Sequence, residues 1–122
     1  KANFFEGTVI DSDKDTVTLN TEYGETKIKT LYPAKTGEKV VYGIRPEKLI
    51  LSPFDESDNE MMGTVTIVTY VGNLSTYRID CCGQELVAER QNRGDSAVLL
   101  SGDKVKISWE PEFCRRLEYD YE

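Results

Sequence analysis

Apolar residues recur at every second position in short runs along this chain, and no stretch sustains the 3.6-residue period of a packed helix. Val17 and Leu19 share one face of the run 16–20, and Ile28 faces inward between Lys27 and Lys29. Val40, Tyr42 and Ile44 alternate with Val41, Gly43 and Arg45, and Tyr77, Ile79 and Cys81 alternate with Thr76, Arg78 and Asp80. Val105, Ile107 and Trp109 alternate with Lys104, Lys106 and Ser108, which predicts that Trp109 anchors the core of the second half. Val65, Ile67 and Val71 are read as one face of a long strand, and Phe4 to Ser12 as a β-rich run through Gly7.

Turn chemistry separates these runs. Asp13-Lys14-Asp15, Tyr23-Gly24, Gly72-Asn73 and Cys82-Gly83-Gln84 carry the residue types that reverse a strand, and the polar stretch 91–96 reads as a loop. Pro33, Pro46 and Pro111 cannot donate to a ladder and so stop strands, while Gly43 predicts a bulge or a close backbone approach. Leu49, Ile50 and Leu51 form a short apolar run, beyond which 55–60 holds nothing apolar to bury.

The pattern occurs twice. Thr36-Gly37-Glu38-Lys39-Val40 leads through a strand to Pro46-Glu47, and Ser101-Gly102-Asp103-Lys104-Val105 leads through a strand to Pro111-Glu112. Gly7-Thr8-Val9 opens the first copy and Gly63-Thr64-Val65 the second. Two copies fall short of the three or so units that a solenoid needs, so the duplication implies a paired β module. With strands roughly every 8 to 12 residues, the expectation is an all-β fold of tandem or interleaved small OB-like barrels. The boundaries predicted are a first repeat 1–54, an acidic linker 55–60, a second repeat 61–118 and an acidic tail 119–122, the repeats free to interleave into one compact unit.

A length of 122 residues is enough for a genuine core. Fifteen basic against 22 acidic residues give a net charge of -7, which disfavours phosphate backbones and anionic membrane surfaces, so neither nucleic acid nor direct membrane insertion is expected. The three cysteines are an odd number with Cys81 and Cys82 adjacent, which fits a reducing compartment better than a disulfide framework. Cys81 is read as strand core, Cys82 as turn and Cys114 as a plain thiol. A start at Lys1 without a signal segment reads as a piece of a longer polypeptide.

The chain has no histidine, which removes the commonest general base and metal ligand. Its cysteines lack metal-binding spacing, and neither a phosphate-binding loop nor a dinucleotide fingerprint occurs. No catalytic residue, no metal and no cofactor is therefore expected. Arg93-Gly94-Asp95 and the sequon Asn73-Leu74-Ser75 both fall where turns favour those residues anyway. Tyr23, Tyr42, Tyr70 and Tyr77 are the aromatics that a base-stacking groove would need, but Arg115-Arg116 is the one basic doublet, so a nucleic-acid-binding OB module is the weakest alternative.

Asn3-Phe4-Phe5-Glu6-Gly7-Thr8-Val9, Gly43-Ile44-Arg45-Pro46-Glu47 and Gly102-Asp103-Lys104-Val105 together resemble the C-terminal TOBE region of ATP-binding subunits of bacterial ABC importers. Tyr70-Val71-Gly72, Tyr77 and Trp109 are most similar to the spermidine/putrescine branch. The resemblance implies a non-catalytic regulatory and dimerisation domain, cytoplasmic at the inner face of the membrane, in a subunit whose nucleotide-binding domain precedes it. It also implies a second copy of the subunit as partner, weakly held by this piece alone, and transporter membrane subunits reached through the missing domain. Arg45 and Glu47 are the candidate partner contacts. Tyr70 and Tyr77 beside Asp80 are the candidate ligand contacts, by cation–π logic for a polyamine. Molybdate-binding relatives share the opening pattern, which keeps an oxyanion-binding domain as the alternative.

Overall fold

The structure, a computed structural model, describes residues 3–22, 24–29, 34–54, 61–81, 83–92 and 98–116. The expected Pro33 stop, Tyr23, the acidic linker 55–60, Cys82, the Arg93-Gly94-Asp95 tripeptide and the tail 119–122 lie outside them. Strands run β1 (Asn3–Asp13), β2 (Thr16–Thr21), β3 (Gly24–Lys29), β4 (Lys39–Ile44), β5 (Ile50–Pro53), β6 (Met62–Val71), β7 (Leu74–Cys81), β8 (Gln84–Gln91), β9 (Lys104–Ser108) and β10 (Arg115–Arg116). Single 3-10 turns stand at Pro46–Lys48 and Pro111–Phe113.

The fold is all-β, and the described residues form two antiparallel five-stranded sheets with orders β10-β4-β1-β2-β3 and β5-β9-β6-β7-β8. Two compact units result. The continuous unit spans Arg45–Ser108, and the discontinuous unit joins the chain up to Ile44 with the chain from Trp109 onward. The strand following each Pro-Glu therefore closes the sheet of the other repeat: β5 pairs with β9 (Leu51 opposite Ile107), and β10 pairs with β4 (Arg116 opposite Tyr42).

Proline explains the exchange locally. A residue before proline is driven out of the helical region, and both Arg45 (φ -67°, ψ 147°) and Glu110 (φ -89°, ψ 137°) are extended. Neither chain can turn straight back onto the strand it has just left. The 3-10 turn at Pro46–Lys48 packs on β8, and its counterpart at Pro111–Phe113 packs on β3.

The duplication seen in the sequence is also a duplication of hydrogen bonds. The Val9 N–H donates to Glu38 O (2.8 Å) and Gly37 N–H to Val9 O (2.7 Å), while the Val65 N–H donates to Asp103 O (2.8 Å) and Gly102 N–H to Val65 O (2.7 Å). Both turns need glycine, because Gly37 (φ 92°) and Gly102 (φ 95°) are left-handed. The acidic neighbour ties each turn shut: the Lys35 N–H donates to a Glu38 carboxylate oxygen (3.1 Å) and the Leu100 N–H to an Asp103 carboxylate oxygen (2.8 Å).

Each core is built on the faces predicted by alternation, joined by Val9 and Leu86, to which the sequence reading assigns no face. Val9, Val17, Leu19, Ile28, Val40, Tyr42 and Ile44 are buried in the discontinuous unit, and Val65, Tyr77, Ile79, Cys81, Leu86, Val105 and Ile107 in the continuous one. Three expectations change. Ile67 and Val71 do not share the face of Val65, because a bulge between Val65 and Ile67 shifts the β6–β7 register and leaves them 51% and 69% exposed. Of the two readings of Gly43 the bulge is not found: the β1–β4 ladder runs unbroken through Phe4 opposite Gly43, which is buried between β1 and β10, and the irregularities fall in β6 and, between Val9 and Asp11, in β1. Trp109 does not anchor the second core. Strand β9 ends at Ser108, and Trp109 stacks on Phe5 (5.4 Å between ring centroids) beside Tyr42 (6.3 Å) in the discontinuous unit.

Candidate functional site

Arg45 and Glu47 flank Pro46, and both are exposed while Pro46 is buried. The Lys48 N–H donates to Arg45 O (2.9 Å), which fixes the tight turn that presents the two charges. Within the continuous unit this turn forms one wall of an open cleft of about 650 Å³, with Glu47, Lys48, Leu49, Ile50 and Leu51 on one side and Leu74, Ala88, Glu89, Arg90 and Gln91 on the other. Its lining mixes apolar side chains with two carboxylates and two cations, a balance that holds no strong preference for an anion.

The three candidate ligand residues are only partly brought together. Tyr70 stands opposite Ser75, and Tyr77 opposite Val68, so Tyr70 and Tyr77 are diagonal neighbours on one face of the β6–β7 hairpin. Tyr70 is 56% exposed and Tyr77 is buried. Asp80 is exposed on the opposite face of β7 from Tyr77, three positions further along. Arg90 lies over the Tyr77 ring, 5.4 Å from its centroid, and one guanidinium nitrogen donates to the Tyr77 hydroxyl at 3.4 Å. A protein cation thus already occupies the ring face that a ligand cation would use.

Alternation passed over a second constellation. Arg116 is 4% exposed and donates to a Glu38 carboxylate oxygen at 2.6 Å, joining β10 to the Gly37 turn across 78 positions of sequence. The adjacent Arg115 is exposed, as a basic doublet on a two-sided strand requires. The Lys35 backbone N–H is the main cause that holds the Glu38 pKa below the usual 4.5, partial burial opposes it, and the Arg116 charge and hydrogen bond add to the lowering. A carboxyl with a lowered folded-state pKa stabilises the fold above its unfolded value, and that contribution is lost as pH falls through the lower one. In an Arg116→Ala variant the Glu38 carboxyl followed by NMR is expected to titrate at higher pH than in the parent yet still below 4.5, because the Lys35 N–H remains. Identical titration curves would show that Arg116 does not act on Glu38.

Among the described residues no group of three or more His, Cys, Asp or Glu side chains could hold a metal ion, and no helix is long and apolar enough to cross a membrane. Cys81 and Cys114 are buried thiols.

The chain is 30% identical over 119 residues to the spermidine/putrescine import ATP-binding protein PotA of Rubrobacter xylanophilus, an alignment covering 93% of this chain and 31% of that protein. It is 29% identical over 119 residues to the putrescine transport ATP-binding protein PotG of Escherichia coli, covering 92% of this chain and 32% of that one. The chain thus spans about a third of the length of these relatives. The cytoplasmic molybdate-binding protein ModG, solved with molybdate bound, superposes with a TM-score of 0.72 over 92% of each chain at 16% identity, which establishes the OB-like fold they share. The TOBE domain profile matches residues 42–117, a span that holds the whole continuous unit and both Pro-Glu crossings, and the chain belongs to the TOBE domain family.

Proposed function

We propose that this TOBE domain is the non-catalytic regulatory and dimerisation part of the ATP-binding subunit of an ABC importer, one that takes up spermidine or putrescine and works at the cytoplasmic face of the membrane. The observation that carries this reading is alignment of 93% and 92% of the chain with two ATP-binding proteins named for polyamine import and transport. The subunit's partners would be a second copy of itself and membrane subunits engaged by the rest of the polypeptide. Deleting the coding segment 1–122 from its gene should lower or deregulate uptake of labelled putrescine and leave molybdate uptake unchanged. Putrescine uptake that keeps its rate and regulation would refute the assignment.

Two finer readings belong with it. Arg45 and Glu47, charged and exposed at a turn whose core does not need them, would contact the second copy. Sedimentation of parent and Arg45→Glu chains tests this, and an unaffected dimer places the contact elsewhere. Of the three candidate ligand residues, Tyr70 would contact a polyamine, since its ring is exposed while Arg90 covers the buried Tyr77 and Asp80 stands on the opposite face. Calorimetry with spermidine should then give saturable binding that Tyr70→Ala abolishes.

The alternative, an oxyanion-binding domain, draws support from the likeness to ModG over 92% of both chains. The net charge of -7 opposes it, and in the cleft Glu47 and Glu89 offset Lys48 and Arg90. Saturable molybdate binding in the same calorimeter, with no response to spermidine, would favour this alternative.

A further inference from the structure

The C-terminal strap of residues 109–116 is attached to its unit by contacts that do not depend on its being in the same chain. Its acceptor ends at Ile44, and the entire continuous unit, Arg45–Ser108, lies between the two in sequence. The strap brings its own recognition chemistry. Trp109 stacks on Phe5, Cys114 is buried, β10 pairs Arg115 with Gly43 and Arg116 with Tyr42, and Arg116 closes on Glu38. The equivalent strap β5 stands between β4 and β6 in the chain, and the C-terminal strap follows β9.

We propose that the strap 109–116 can be donated to the discontinuous unit of a second copy of this chain, giving a reciprocally exchanged dimer built from the contacts that close the monomer. The two repeats of one chain already trade this element, and Pro111 with extended Glu110 sends it away from β9 in either case. Inside one chain the strap competes at the high effective concentration of a tethered group, of order millimolar. The closed monomer therefore dominates in dilute solution. Weakening closure within the chain while preserving it between chains shifts the population to the dimer.

Charge reversal does both at once. In E38R the acceptor repels its own Arg116, and in R116E the strap repels its own Glu38. In an exchanged heterodimer the E38R acceptor meets the R116E strap, and the unsubstituted Glu38 meets the unsubstituted Arg116, so both pairs are restored. An equimolar mixture of the two variants, read by sedimentation velocity and native mass spectrometry, is expected to contain at least about tenfold more dimer than either alone at equal total concentration. The double variant E38R/R116E restores the pair within one chain and is expected to be monomeric.

A mixture that sediments as the sum of its components overturns the proposal, as does a double variant that dimerises as strongly as the mixture. Should either single variant fail to fold alone, the two are refolded together from denaturant; folded heterodimer supports exchange, and no recovery overturns it. Heterodimer that persists with Arg45→Glu in both chains assigns the association to the strap rather than to the exposed turn at Pro46.

Discussion

Replacing Tyr42 by alanine is expected to lower stability by about 3 to 5 kcal/mol, the range for truncating a fully buried large aromatic. Tyr42 has no exposed surface and sits in β4, which pairs with β1 on one side and β10 on the other. Its ring stacks on Phe5 (5.4 Å, 23° between planes) and lies tilted beside Trp109 (6.3 Å), which itself stacks on Phe5, so the truncation opens a cavity against both remaining rings. A domain of ordinary stability has about 5 to 15 kcal/mol in all, so the loss is a large share. Trp109, the sole tryptophan, reports on this unit. Urea unfolding followed by its fluorescence should therefore show a strongly lowered midpoint for Tyr42→Ala. Tyr70→Ala, at an exposed ring, should stay within about 0.5 kcal/mol of the parent. Equal midpoints for the two variants would mean that the three-ring cluster contributes nothing specific.

The strand faces were legible because two-residue alternation is imposed directly by burial on one side. Val17, Leu19 and Ile28, then Tyr77, Ile79 and Cys81, carry that imprint without interruption. Alternation fails at Ile67 for a definite reason. An extra residue in β6 changes the parity of everything after it, and Thr66, at the bulge, is a residue type equally at home in a regular strand. It fails at Trp109 for another: Val105, Ile107 and Trp109 satisfy the period, but the length of β9 is set by its partners β5 and β6, which no local pattern records.

Pro46 and Pro111 read as strand stops, but β4 ends at Ile44 and β9 at Ser108, each before its proline is reached; the effect of the prolines is to direct the exit. Both repeats carry the same signal, so the local sequence does not say which sheet the next strand joins. The charged groups divide in the same way. Arg45 and Glu47 beside a proline announce an exposed turn, and the structure exposes them. Arg116 in a basic doublet reads as solvated, yet it is buried because its partner Glu38 stands 78 positions away, a separation that alternation does not reach.

Gly63 offers the most local test of how the continuous unit is packed. It lies in β6, opposite Val105 of β9, where a β-carbon would stand 2.5 Å from Ile79 Cγ2, 3.0 Å from Ile107 Cδ1 and 3.1 Å from Asp80 O. Both side chains are buried and the third neighbour is backbone, so nothing can swing aside. Gly63→Ala recovers about 0.5 to 1 kcal/mol of chain entropy, but overpacking typically costs about 1 to 3 kcal/mol, so net destabilisation is expected. Gly7, its counterpart, meets Leu19 Cβ at 2.9 Å and Thr21 Cγ2 at 3.1 Å, so Gly7→Ala should cost less. The decisive measurement is a double-mutant cycle. Ile79→Ala alone removes a buried side chain at a cost of about 2 to 5 kcal/mol, but it also removes the methyl that the new β-carbon strikes. The double variant should therefore be more stable than the sum of the two losses predicts, by about 0.5 to 3 kcal/mol as for residues in direct contact. Strict additivity would show that Ile79 does not press on Gly63 and would place the need for glycine at this position in the backbone alone.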